Sequence, residues 1–296
     1  MDADYSSVPP GARPLRQGYR PQRVTLALSD GYETSVHVHG LGGSGRLPVL
    51  YVHGIQSHPG WFFGSAAHLA GRGHAVFQVT RRGSGDNTRD RGDAGSPGQL
   101  FDDIDAALCF IEKQTGAQRA HLLGVSWGGK LLAAYACSRQ RAEKAASLTL
   151  VAPGIVPRVD VSLAAKLSIA AAILLQPRKL FDIPLSDVEL FTDNEAMRRY
   201  LRRDPCRLHK ATARFLYASR RLDRMLKQFP RGALAVPTML ILARCDRIID
   251  NAATRAAVEH LTAGAATVRE FDGAHTLEFE PDPTPFYEAL SEALSI

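Results

Sequence analysis

The chain has 296 residues, 45% of them hydrophobic, which suffices for one large α/β domain with an insertion or for two small domains. Its four cysteines, Cys109, Cys137, Cys206 and Cys245, form no C-x-x-C pair, which argues against a disulfide framework or a zinc site and for a reducing, cytoplasmic setting. The formal net charge of +6 is concentrated: residues 198–231 carry ten arginines and two lysines against Asp204 and Asp223. No nucleic-acid recognition motif accompanies that charge, so it suits solvated helix faces, anionic substrates or a transient contact with an anionic membrane surface.

Residues 1–21 are polar, with Pro, Gly and Arg but no apolar core of a signal peptide, and read as a flexible arm. Residues 23–29 and 33–39 alternate polar and apolar around Asp30-Gly31, the pattern of two antiparallel strands and a hairpin turn. Residues 47–53 form a continuous apolar run suited to a central strand, ending in His53-Gly54-Ile55-Gln56-Ser57-His58. A helix over 61–69, a strand over 75–80 and a glycine-rich loop, Arg81-Arg82-Gly83-Ser84-Gly85, follow. Apolar residues at 100, 101, 104, 107, 108 and 111 predict a helix over 99–114. Strand 120–125, a helix over 130–137 and strand 147–152 come next.

The pattern then changes. Residues 155–232 show no strand and several helical stretches. One of these, residues 163–175, is so apolar that it reads as the packing face of the segment, or alternatively as a membrane-touching stretch. Its longest apolar run, residues 167–175, is too short to span a bilayer. Strand 237–244, helix 251–263, strand 267–271 and a last helix starting near Pro283 complete the chain. Strands alternating with helices imply a mostly parallel, eight-stranded, doubly wound α/β sheet. A helical cap, residues 155–232, is expected after the sixth strand, leaving 22–154 and 233–296 as the core.

Gly124-Val125-Ser126-Trp127-Gly128 sits where a strand gives way to a helix. This is the G-x-S-x-G spacing that puts a serine on a strained turn, with small residues two positions away on either side. A serine hydroxyl needs a base, and the base a carboxylate to hold its tautomer. In an open α/β sheet these gather at the carboxyl ends of later strands. Asp246, just after strand 237–244, is the candidate acid, with Asp250 as rival, although its place before Asn251 suits a helix N-cap. His275, after strand 267–271, is the candidate base, and Asp272 a turn residue. Two N–H donors must hold the oxyanion: one from Trp127, the other from Ile55, with Gln56 as runner-up. His53 is expected to order that loop. The ten histidines show no shared metal-ligand spacing, so no metal is expected.

With these residues in place, the chain over about residues 23–295 resembles the α/β-hydrolase superfamily. His53-Gly54-Ile55-Gln56-Ser57-His58, Arg82-Gly83-Ser84-Gly85, Gly124-Val125-Ser126-Trp127-Gly128-Gly129 and Asp272-Gly273-Ala274-His275 are similar to the monoacylglycerol lipase, lysophospholipase and serine-aminopeptidase-like group. The resemblance implies a Ser126–Asp246–His275 triad, an oxyanion hole at Ile55 and Trp127, no cofactor, and a cap that sets specificity. It departs from the group at Thr80 and Arg81, where an aspartate usually precedes Arg-Gly-x-Gly, and at Trp127, where Met or Gln is commoner. A serine at 126 argues against dehalogenase or epoxide-hydrolase chemistry, which uses aspartate there. The expected activity is hydrolysis of small-molecule acyl esters, of medium or long chain or lysolipids. The same residues admit amide hydrolysis, acyl transfer, or a non-catalytic binding protein of this fold.

Overall fold

The computed structural model describes Pro9 and residues 21–42, 45–138 and 142–295, so most of the expected arm lies outside the described residues. Its strands and helices follow the sequence pattern closely. The core begins with β1 (Gln22–Ala27), β2 (Glu33–His39), β3 (Val49–Val52), α1 (Phe63–Gly71), β4 (Val76–Val79) and α2 (Pro97–Thr115). It continues with β5 (Ala120–Val125), α3 (Trp127–Ala136) and β6 (Ala145–Val151). Between β6 and the next core strand lie α4 (Leu163–Leu175), β7 (Leu180–Asp182), α5 (Glu195–Arg203), β8 (Lys210–Thr212) and α6 (Ala213–Gln228). The core closes with β9 (Thr238–Ala243), α7 (Asn251–Leu261), β10 (Thr267–Phe271) and α8 (Thr284–Ala293).

Eight strands form one sheet in the order β1-β2-β4-β3-β5-β6-β9-β10. β1 pairs antiparallel with β2, and β2 antiparallel with β4; all the other pairs are parallel. The central strands are fully buried because both faces are covered, which is why they read as unbroken apolar runs rather than alternating ones. From β3 the chain crosses through α1 to β4 on one side. From β5 it crosses through α3 to β6 on the other. Right-handed crossovers in opposite directions place α1 and α3 on opposite faces. They also leave a crevice between the carboxyl ends of β3 and β5, at Val52 and Val125, which is where ligands bind in open α/β sheets.

Two expectations need correction in the segment after β6. It is not strand-free: β7 and β8 form a short antiparallel pair, with Phe181 opposite Ala211. Three-residue strands carry too little periodicity to stand out from helix flanks. Nor does the apolar stretch 163–175 pack inward. It forms α4, but Leu163, Leu167, Leu174 and Leu175 are 66–85% exposed and only Ala172 is buried. No helix among the described residues is long and apolar enough to cross a membrane.

Candidate active site

The turn after β5 places Ser126 at φ 53°, ψ −119°, a left-handed conformation that costs a non-glycine residue strain. The surrounding backbone holds it there. Ser126 N–H donates to the Val151 carbonyl at 2.9 Å, and the Ser126 carbonyl accepts from Gly154 at 2.8 Å. The flanking glycines are required sterically. A Cβ on Gly124 would lie 2.7 Å from Gly129 Cα, and one on Gly128 would lie 2.3 Å from the Val52 carbonyl oxygen. The G-x-S-x-G spacing is thus the contact between α3 and the strands β3 and β5.

His275, in the loop after β10, reaches both predicted partners. Its Nε2 is 2.9 Å from Ser126 Oγ, and its Nδ1 is 2.7 Å from Asp246 Oδ2. With the carboxylate accepting at Nδ1, the ring proton sits on Nδ1, and Nε2 accepts from the serine hydroxyl. Asp246 Oδ1 accepts the N–H groups of Ile248 at 2.7 Å and Ile249 at 3.0 Å, so both carboxylate oxygens are occupied. Burial alone would raise the Asp246 pKa, but the His275 ring and these two backbone donors outweigh it and hold it below the ordinary value. Asp250 does not join this chain. It caps α7, accepting the Ala253 N–H at 3.0 Å. Asp272 is exposed and pairs with Arg244 at 2.6 Å.

The loop after β3 supplies the other wall. Among the described residues, the N–H groups of Ile55 and Gln56 donate to no protein acceptor, and the Trp127 N–H, at the first position of α3, has no intrahelical partner. His53 orders this loop: its Nδ1 donates to the Gly54 carbonyl at 2.9 Å while its Nε2 accepts the Arg81 N–H at 3.1 Å. Burial, reinforced by the nearby Arg81 charge, keeps the His53 pKa well below its usual value, so the ring is neutral.

The segment 155–232 is bolted to the core by buried polar contacts that the sequence does not foretell. Asp204 Oδ2 accepts from Trp61 Nε1 at 2.7 Å and from His58 Nε2 at 3.0 Å, while His58 Nδ1 accepts the Gly60 N–H. Arg207 donates through Nε and Nη2 to Gln56 Oε1 at 3.0 and 2.9 Å. Lys130, on α3, donates to Asp223 and Ser219 of α6 at 2.8 and 2.9 Å. Arg214 of α6 is bidentate to Asp93. His58, Asp204 and Cys206 also bring ligand atoms within 4.8 Å of one another. The His58 ring and the Asp204 carboxylate already engage each other, the Trp61 indole and the Gly60 and Cys206 backbone N–H groups.

The family model described as "Serine aminopeptidase, S33" matches residues 44–282. The chain belongs to that family. The S33 family assignment and the eight-stranded sheet make it an α/β hydrolase. Solved structures agree on the fold. Monoacylglycerol lipase from Paleococcus ferrophilus superposes with a TM-score of 0.76 at 21% identity, over 89% of this chain and 98% of that one. A soluble variant of monoglyceride lipase from Saccharomyces cerevisiae, in complex with a substrate analog, gives 0.79 at 18% identity, over 94% and 95%. A carboxyl esterase from Bacillus coagulans in complex with glycerol gives 0.72 at 14%, over 93% and 99%. A search of curated proteins found no match.

Relative to its S33 resemblance, the site holds one residue whose role the sequence left open. Arg81, noted only as a departure from the usual aspartate-containing approach, is buried and reaches the loop after β3. The departure itself was the available signal.

Proposed function

We propose that this S33-family protein hydrolyses carboxylic esters through an acyl-enzyme. Ser126 attacks the carbonyl, His275 takes the serine proton and returns it to the leaving alcohol, and Asp246 holds the imidazole tautomer. The N–H groups of Ile55 and Trp127 bind the oxyanion, and water releases the acid. The single observation that carries this reading is the unbroken hydrogen-bond chain, 2.9 Å from Ser126 Oγ to His275 Nε2 and 2.7 Å from His275 Nδ1 to Asp246 Oδ2, on a strained elbow. The test pairs chromogenic short- and medium-chain esters with a fluorophosphonate probe. Labelling at Ser126 and loss of turnover in Ser126→Ala are expected; undiminished turnover in that variant refutes it.

The substrate reading is an apolar acyl ester presented at an anionic lipid surface. It is supported by α4, which carries its leucines outward, and by α6 packed beside it with Arg220, Arg221, Arg224 and Lys227 exposed. Apolar contact with adjacent basic charge is the combination that holds an interfacial helix on anionic lipid. Co-sedimentation with phosphatidylserine-containing vesicles should exceed that with neutral vesicles and fall in Leu167→Asp and Leu174→Asp. Equal sedimentation of all three proteins contradicts the lipid reading while leaving the ester chemistry intact. Turnover of free amide or competing alcohol substrates faster than esters would instead favour the amidase or transferase alternatives.

A further inference from the structure

Arg81 is a buried cation that the chemistry above does not use. It follows β4, the neighbour of β3 in the sheet, and is 6% exposed. Among the described residues no carboxylate pairs with it, and removal from water pulls its pKa down to about 9. Its guanidinium lies 4.7 Å from the ring centre of Trp127, the residue after the nucleophile, and 5.8 Å from that of Phe215 on α6. Among the described residues its Nε has no hydrogen-bond partner. Holding a charge in such a place is costly unless its remaining contacts matter.

Those contacts converge on the oxyanion loop. Nη2 of Arg81 donates to the carbonyl of Gly54 at 2.8 Å and to that of Ile55 at 2.9 Å. Every peptide bond among the described residues is trans, and a trans peptide holds its C=O and N–H antiparallel. Drawing two successive carbonyls to one nitrogen therefore turns the N–H groups of Ile55 and Gln56 to the opposite side. Among the described residues neither N–H has a backbone acceptor, so both can meet an anion on that side. Gly54 lies against the nucleophile, since a Cβ placed on it would sit 3.2 Å from Ser126 Cβ. Its carbonyl takes a second bond from His53 Nδ1, so the peptide is polarised by two donors, one of them cationic.

We infer that Arg81 is a positioning residue for the oxyanion hole: its guanidinium clamps the Gly54 and Ile55 carbonyls and so aims the Ile55 N–H, which acts with that of Trp127, at the acyl oxygen on Ser126. The inference rests on the ester-hydrolase reading for its catalytic consequence, but the clamp itself does not. No covalent step is added. The clamp acts on a fixed dipole, which matters more in the transition state, where the oxygen carries charge, than in the bound ester.

The experiment uses Arg81→Met, which keeps the length and removes the charge, and Arg81→Lys, which restores a cationic donor. In Arg81→Met, kcat for a chromogenic ester should fall on the order of 10- to 100-fold with KM within about threefold, the split expected when an oxyanion donor is misaligned. The inhibition constant of a trifluoromethyl ketone, which forms the tetrahedral oxyanion, should rise by the same factor as kcat/KM falls. Arg81→Lys should recover part of both. A residue with a merely structural role would lower the melting temperature and raise KM without this parallel. The second arm needs no turnover: the amide nitrogen of Ile55, followed by 15N NMR, should move upfield in Arg81→Met and part-way back in Arg81→Lys. A shifted Ile55 amide in a protein whose wild type hydrolyses no ester preserves the clamp and overturns the ester reading. An unmoved Ile55 amide, or kcat unchanged in Arg81→Met, overturns the clamp. Should Arg81→Met fail to fold, the Arg81→Lys comparison decides on the same two readouts.

Discussion

Glu278→Gln should change how stability depends on pH, by an amount the structure sets. Glu278 lies three residues past His275 and is 7% exposed. Its Oε1 accepts the Ser65 N–H at 2.9 Å and the Tyr287 hydroxyl at 2.8 Å, while among the described residues Oε2 has no partner. Burial pushes its pKa from 4.5 up to about 7, against the pull of the Ser65, Tyr287 and Gly64 donors. A carboxyl whose native pKa is raised binds its proton more tightly folded than unfolded. Its stabilising contribution is therefore complete below pH 4.5 and is lost as pH rises through 7. At 1.36 kcal/mol per pKa unit the loss amounts to about 3 kcal/mol. Glutamine cannot titrate, so urea unfolding of wild type and Glu278→Gln from pH 4.5 to 8 should give free energies whose difference falls by about 3 kcal/mol toward high pH. Parallel profiles for the two proteins would refute the reasoning.

The acid of the relay can be separated from its rival. Asp246→Asn should lower kcat by about 10³–10⁴ through the wrong imidazole tautomer. Asp250→Asn, at the α7 N-cap, should cost at most about 1 kcal/mol of stability and leave kcat within about twofold; the reverse ranking in steady-state kinetics would exchange their roles. Asp204→Asn should destabilise the protein by about 3 kcal/mol in chemical denaturation, because one uncharged amide oxygen cannot serve both the His58 and Trp61 donors and the Cys206 N–H, and either flip sets the amide NH2 against a buried donor. Although burial favours its protonated form, the His58 and Trp61 donors hold the Asp204 pKa below the ordinary value. Its contribution should therefore be present at neutral pH and disappear as pH falls below the usual carboxylate range, a loss absent from Asp204→Asn.

Most of this architecture could be read from residue order because it depends on local rules. The buried strands β3, β5, β6 and β9 are apolar runs bounded by turn residues, β2 covers the residues that alternation marks out, and β5 and β10 cover the strands read at 120–125 and 267–271. The elbow was legible because its glycines answer to a steric demand two residues from Ser126. What stayed hidden is what depends on distant partners. The apolar composition of α4 does not reveal whether another element covers it, and among the described residues only its Ala172 is buried. The short pair β7–β8 is stabilised by its pairing across the segment rather than by a pattern within three residues. The bolt of His58 and Asp204 joins positions 146 residues apart. Arg81 looked like a plain departure until the fold placed its guanidinium against the carbonyls of Gly54 and Ile55.

Rapid-quench mass spectrometry of the protein mixed with p-nitrophenyl butyrate addresses the central claim most directly. A butyryl adduct is expected on the peptide that contains Ser126, formed and consumed at rates consistent with turnover and absent in Ser126→Ala. Ester turnover with no adduct at any time point, or an adduct confined to another residue, would contradict it.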